Sequence, residues 1–102
     1  MIPFKRPLLL RILEGKKTQT RRSPRYQYTL GKIYDIGDEW KRGPQGRIII
    51  TRKYRQRLCD LTAEEIEKEG FDSLEEMRAF WEENVEPWQP GKVVIAYEFQ
   101  LC

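Results

Sequence analysis

Gly46-Arg47-Ile48-Ile49-Ile50-Thr51-Arg52-Lys53-Tyr54-Arg55-Gln56-Arg57-Leu58 decides the fold class. The run is rich in β-branched and aromatic residues and reads as a strand over residues 47–58. Strict alternation places Ile48, Ile50, Tyr54 and Leu58 on one face, and Arg47, Ile49, Thr51, Lys53, Arg55 and Arg57 on the other. A half-buried strand with a cationic outer row suits either an ordinary solvated surface or a surface that meets phosphates.

Gly43-Pro44-Gln45-Gly46 is a turn signal, and Gly31 opens a shorter strand at Lys32–Ile36, so the two runs form a hairpin. Lys92–Leu101 is a terminal strand with Val93, Ile95, Tyr97, Phe99 and Leu101 on one side. Helical signals fill the intervals. Pro7 suits a first turn and Gly15 a stop, giving a helix over about residues 7–14 with Leu9, Ile12 and Leu13 inward. Thr62-Ala63-Glu64-Glu65 and Ser73-Leu74-Glu75-Glu76 have capping-box spacing. The first of these helices ends near Glu69, before Gly70. The second buries a stripe of Leu74, Met77, Phe80 or Trp81, and Val85. Strands with short helices between them predict an α+β domain, and barrel-like closure of the sheet would protect its edges.

The chain has 102 residues, one domain's worth, so residues 1–102 are expected to form a single domain. Apolar residues make up 39% and charged residues 34%, the profile of a globular domain with a heavily charged surface. No window approaches the ~18 apolar residues of a membrane span. Met1–Arg6 lacks the layout of a signal peptide, and a cytoplasmic protein without membrane contact is expected. There are no histidines, which excludes mechanisms built on an imidazole base. Cys59 and Cys102 alone do not make a zinc site. They are expected to be reduced thiols serving as small apolar fillers, with no metal or cofactor. Any chemistry falls to Lys, Arg, Thr, Ser, Tyr, Asp or Glu.

The net charge of +3 conceals a division: residues 1–58 carry 16 bases and 4 acids, and residues 59–102 carry 3 bases and 12 acids. The asymmetry points to a polyanionic partner for the basic half, or to two halves that neutralise each other on folding.

Gly15-Lys16-Lys17-Thr18-Gln19-Thr20-Arg21-Arg22 resembles the signature of the ASCH domain family, with its Gly, Lys, hydroxyl or acidic residue, and Arg on Gly15, Lys17, Thr20 and Arg22. Glu69-Gly70-Phe71, opening into an amphipathic helix, and the closing strand Val94–Phe99 fit the same family. The resemblance implies a small PUA-like β-barrel with flanking short helices and a ligand that is RNA or a modified nucleoside. One bacterial branch hydrolyses N4-acetylcytidine with a Lys, a Thr and a Glu. By motif position these are Lys17, Thr20 and Glu69, and Thr at position 20 is similar to that branch. Other members are considered RNA binders, and some are reported ribonucleases.

If the three residues converge, Lys16, Arg21 and Arg22 would disfavour the Lys17 proton and make that amine a base near neutral pH. Lys17 could then take the Thr20 hydroxyl proton during attack on an acetamide, or activate water. Glu69 could orient Lys17 or supply a proton to the departing amine, and Arg22 could hold an oxyanion or a phosphate. The non-catalytic alternative is an RNA-binding module. It would use the same cleft with Lys16, Arg21 and Arg22, the row Arg47, Lys53, Arg55 and Arg57, and Tyr26, Tyr28 and Trp40 for stacking. The sequence leaves the oligomeric state open.

Overall fold

The computed structural model describes residues 1–102 apart from the side chain of Trp40, so the stacking expectation for that ring lies outside the described residues. Five strands form one sheet: β1 (Ile2–Pro3), β2 (Gln19–Arg22), β3 (Ile33–Gly37), β4 (Gly46–Arg57) and β5 (Val93–Leu101), in the order β1-β3-β4-β5-β2. β1 is parallel to β3, and the other neighbours are antiparallel. Three short helices, α1 (Arg6–Leu13), α2 (Ala63–Lys68) and α3 (Leu74–Asn84), flank the sheet. The sheet curls into a half-barrel, the α+β, PUA-like architecture expected from the sequence.

The bend of β4 corrects the face assignment. Ile50 pairs with Phe99 and Arg52 with Glu98, so Thr51 is an extra residue, a bulge. One inserted residue exchanges the faces of everything beyond it. Lys53 therefore pairs with Tyr97, Arg55 with Ile95 and Arg57 with Val93, on the face shared with Ile48 and Ile50. Tyr54 and Gln56 turn to the opposite face, toward α2.

The main core joins Ile48, Ile50, Ile95, Tyr97 and Phe99 of the sheet to Ile2, Phe4, Leu9, Ile12 and Ile36. Leu8, Ile66, Phe71 and Met77 form a second cluster between the helices, and Leu58, Trp81 and Val94 form a third. β5 lies between β4 and β2 with both faces packed, so Val94 and Ala96 are buried as well as Ile95 and Tyr97, while Val93 and Leu101 at its ends are exposed.

Helical spacing puts Leu8, Leu9 and Ile12 on the buried stripe of α1. Leu13, expected inward, falls at the edge of that stripe and is exposed. In α3 the buried stripe is Met77 and Trp81, with Phe80 half-buried, whereas Leu74 and Val85 lie at the helix ends and are exposed. Both cysteines are free and exposed, which corrects their expected role as fillers: Cys59 sits in a surface turn and Cys102 is the last residue.

The capping box at Thr62 and Glu65 is complete: Glu65 N–H donates to Thr62 Oγ1 at 3.1 Å, and Thr62 N–H donates to Glu65 Oε1 at 3.0 Å. At Ser73 only the forward half forms, Glu76 N–H donating to Ser73 Oγ at 3.1 Å. Glu76 instead pairs with Arg11 at 3.2 Å. Ion pairs between the basic and acidic halves thus account for part of the charge division.

Candidate functional site

α1 and the segment after it are tied to the end of α2 through three consecutive carbonyls. Thr18 N–H donates to Lys68 O at 2.8 Å, Lys17 Nζ donates to Glu69 O at 2.8 Å, and Arg11 Nη1 donates to Gly70 O. These are carbonyls left without helical partners at a C-terminus, where cations are favoured. Gly70 makes the approach possible. Its φ is +98°, and a Cβ there would stand 3.2 Å from Lys17 Cβ and 3.3 Å from Arg11 Cδ.

Lys17 and Glu69 therefore meet. The side chain of Lys17 is 1% exposed, and its three N–H groups reach Gln19 O at 2.7 Å, Glu69 O at 2.8 Å and Glu69 Oε1 at 3.3 Å. Burial pulls the Lys17 amine down from 10.5, the Glu69 charge and hydrogen bond push it back up, and Arg22 and Arg21 lower it further, leaving it at about 8.

The second Glu69 oxygen accepts from Arg21 Nη1 at 2.9 Å. Arg21 is wholly buried, and its other four N–H groups go to Gln56 Oε1 at 2.8 Å, Gln19 Oε1 at 3.0 Å, Tyr54 Oη at 3.1 Å and Glu65 Oε2 at 2.7 Å. All five guanidinium donors are engaged within the protein, which leaves none for a ligand. Burial tends to raise the Glu65 carboxyl. Hydrogen bonds from Tyr54, the Thr62 N–H and Gln56, together with the Arg21 charge, outweigh it and hold Glu65 at about 2.

Thr20 and Arg22 point to the other face of β2, opposite Tyr97 and Ile95. Arg22 Nε donates to Thr20 Oγ1 at 3.2 Å and Nη2 to Pro3 O at 2.7 Å, and its guanidinium stands 4.7 Å from the Phe4 ring centre. Burial draws the pKa of Arg22 below its ordinary value.

A cavity of about 510 Å³ joins these groups. Lys17, Thr20, Arg21, Arg22, Ser23, Asp38 and Glu69 supply its polar wall, and Phe4, Leu8, Phe71, Met77, Phe80 and Trp81 an apolar one. This combination, with a volume inside the usual ~300–1,000 Å³ of small-molecule sites, makes the cavity the candidate ligand site. Among the described residues no three Cys, Asp or Glu side chains gather as a metal site.

The remaining candidates stand outside that wall. Lys16 is exposed and paired with Glu14 at 3.4 Å. Lys53 donates to Gln27 Oε1 at 3.0 Å and to Tyr28 O at 2.9 Å. Arg47 pairs with Asp35 at 3.5 Å and Arg57 with Asp60 at 3.3 Å. Arg55 borders a separate surface depression with Lys53, Gln27 and Leu30. Lys53 and Arg55 do share the sheet face of Thr20 and Arg22, across β5, through the rows Thr20–Tyr97–Lys53 and Arg22–Ile95–Arg55. Tyr28 packs edge-on against Tyr97 and Tyr34, whereas Tyr26 is exposed. Sequence reasoning missed Asp38, which lies in a bend after β3. It also read Met77 and Trp81 as core alone, and helical periodicity carries no sign that such a stripe borders a cavity.

No protein-family model matches this sequence, and no curated protein does. Solved structures do. An Enterococcus faecalis protein of the DUF984 family superposes with a TM-score of 0.76 at 19% identity, over 94% of this chain and 67% of that one. An ASCH domain from Lactobacillus crispatus gives 0.73 at 17% identity, over 93% and 70%. A mutant ASCH protein from Zymomonas mobilis gives 0.68 at 17% identity, over 98% and 68%.

Proposed function

We propose, taking as premise that this chain has the fold of ASCH domain proteins, that the cavity binds one nucleoside, free or within RNA, and hydrolyses an acetamide on its base, as in N4-acetylcytidine. The observation that carries the proposal is the convergence of Lys17, Glu69 and Thr20 on the wall of a single cavity of nucleoside size.

With an amine at about 8, a fraction of Lys17 is neutral near pH 7–8. Neutral Lys17 keeps two of its three hydrogen bonds, turns the freed lone pair toward the cavity and takes the Thr20 hydroxyl proton as Thr20 Oγ1 attacks the acetyl carbon. Arg22, already a donor to that oxygen, stabilises the negative charge that passes to the carbonyl oxygen. The bond from the acetyl carbon to the exocyclic nitrogen then breaks, and the nitrogen receives the proton held by Lys17. Water attacks the acetyl–Thr20 ester, giving one proton to Lys17 and its hydroxyl to the acetyl carbon; the bond to Thr20 Oγ1 breaks, Lys17 returns the proton to that oxygen, and the acetic acid leaves as acetate after losing its proton to solvent. Glu69 keeps Lys17 in place throughout and balances its charge.

The test is incubation with N4-acetylcytidine and analysis for cytidine and acetate. The proposal expects both from the wild-type protein and neither from Thr20→Val. Turnover by Thr20→Val at the wild-type rate would refute it.

A further inference from the structure

Arg21 holds two carboxylates at once. Its side chain is fully buried, and Nη1 donates to Glu69 Oε2 at 2.9 Å while Nη2 donates to Glu65 Oε2 at 2.7 Å. Glu65 lies in α2 and Glu69 caps that helix, so the guanidinium bridges two acids one helical turn apart. Glu65 is itself held by the Tyr54 hydroxyl and by Gln56 Nε2, 2.9 Å from Oε1. The acetamide scheme gives Arg21 no part. We infer that Arg21 is a positioning residue for the base of that scheme: by sharing Glu69 between two cations it lets this carboxylate orient the Lys17 amine without securing its proton, while Glu65 and Tyr54 keep Arg21 in place.

The charges around Lys17 support this role. Without Arg21, two carboxylates on one helix turn would act on a buried amine and hold its proton firmly. Glu69 instead gives its shorter contact to Arg21 and meets Lys17 Nζ at 3.3 Å. No other charge on the packed elements does the same. Arg22 also disfavours the Lys17 proton, but it donates to Thr20 and Pro3 O and to neither carboxylate. Arg11 of α1 is paired with Glu76, Glu98 of β5 accepts from Gln19 Nε2 at 2.8 Å, and Asp38 accepts from Arg6 at 3.1 Å.

This inference rests on the reading of Lys17 as the base, and a titration without substrate separates the two. The Lys17 side-chain signal of the ¹³C,¹⁵N-labelled protein, assigned by comparison with Lys17→Met, is followed by NMR from pH 6 to 11. A midpoint near 8 is expected for the wild type. Arg21→Gln should raise it by about one pH unit, because Glu69 and Glu65 then act on Lys17 unopposed. Glu65→Gln should lower it, and the double variant should fall between the two. The pH limb of N4-acetylcytidine hydrolysis should move in the same directions.

Opposite movements distinguish positioning from packing, since a loosened core admits water and raises the midpoint in every variant. Movement in one direction in both single variants, or none in either, would overturn the inference and leave the nucleoside reading standing. Should Arg21→Gln fail to fold, the double variant, which removes both partners of a buried ion pair, is compared with Glu65→Gln. A higher midpoint in the double supports the inference, and an equal one overturns it. Midpoints that move as expected in a protein that leaves N4-acetylcytidine unchanged at every pH would defeat the nucleoside reading and leave the control of Lys17 by Arg21 in force.

Discussion

Glu69 divides its carboxylate between two buried cations: Oε1 lies 3.3 Å from Lys17 Nζ, and Oε2 lies 2.9 Å from Arg21 Nη1. Lys17 and Glu69 are 52 positions apart in the chain, so the contact depends on α2 docking against the segment that follows α1. The pairing makes one residue both a support of the fold and a partner of the proposed base. Effects on activity at this position have to be separated from effects on folding.

Removing the Glu69 charge should therefore destabilise the protein strongly. Glu69→Gln strands Lys17 and Arg21 with less compensation and is expected to cost about 3–5 kcal/mol, read as a lower denaturant midpoint. Adding Lys17→Met to that variant should recover part of the loss, because the two sites are coupled. Strict additivity of the two substitutions would contradict the described pair.

Thr20→Val offers a cleaner probe of chemistry. Its hydroxyl accepts one hydrogen bond, from Arg22 Nε, so the loss of stability should be about 1 kcal/mol. Amide hydrolysis should vanish, and Thr20→Ser should retain it in part. Equal activity in the Val and Ser variants would exclude Thr20 as the nucleophile.

Two pH signatures follow from the buried groups. The folded-state pKa of Lys17 lies near 8, below its ordinary 10.5, so between these values the unfolded chain holds a proton that the native state has released. Stability contributed at this position should rise with pH across that window, and Lys17→Met should remove the rise. Hydrolysis, which needs the neutral amine, should climb through a limb near pH 8. Glu65 gives the same sign in the acid range. Its carboxyl is held at about 2 against an ordinary 4.5, so its contribution is present above 4.5 and lost as pH falls toward 2. Acid unfolding of Glu65→Gln should lack that component.

The basic strand should matter little to a small substrate. Lys53→Gln and Arg55→Gln lie outside the cavity wall and should leave N4-acetylcytidine hydrolysis within about twofold. RNA binding through the same residues would weaken in both variants and fall steeply with added salt. A salt titration of each ligand distinguishes the two.

The sequence made β4, β5 and the three helices legible because each carries a periodic apolar pattern or a paired cap. It concealed β2, whose Gln19-Thr20-Arg21-Arg22 shows no apolar period, since two of its side chains are buried by ion pairs and hydrogen bonds and not by hydrocarbon. Thr51 looks like any other strand Thr, and the bulge it makes, fixed by pairing with β5, moved Lys53, Arg55 and Tyr54 to faces that alternation did not predict. In the motif, Lys17, Thr20, Arg22 and Glu69 do border one cavity. Arg21 reads as another phosphate ligand until the acceptors around it, from Gln19 to Glu69, can be seen together.

The most direct measurement of the central claim is product analysis after incubating the purified protein with N4-acetylcytidine at pH 8, alongside Thr20→Val at a temperature where both proteins are folded. Cytidine and acetate in equal amounts from the wild type, and from it alone, is the predicted result. Unchanged substrate with the wild type, or equal turnover by both proteins, would contradict it.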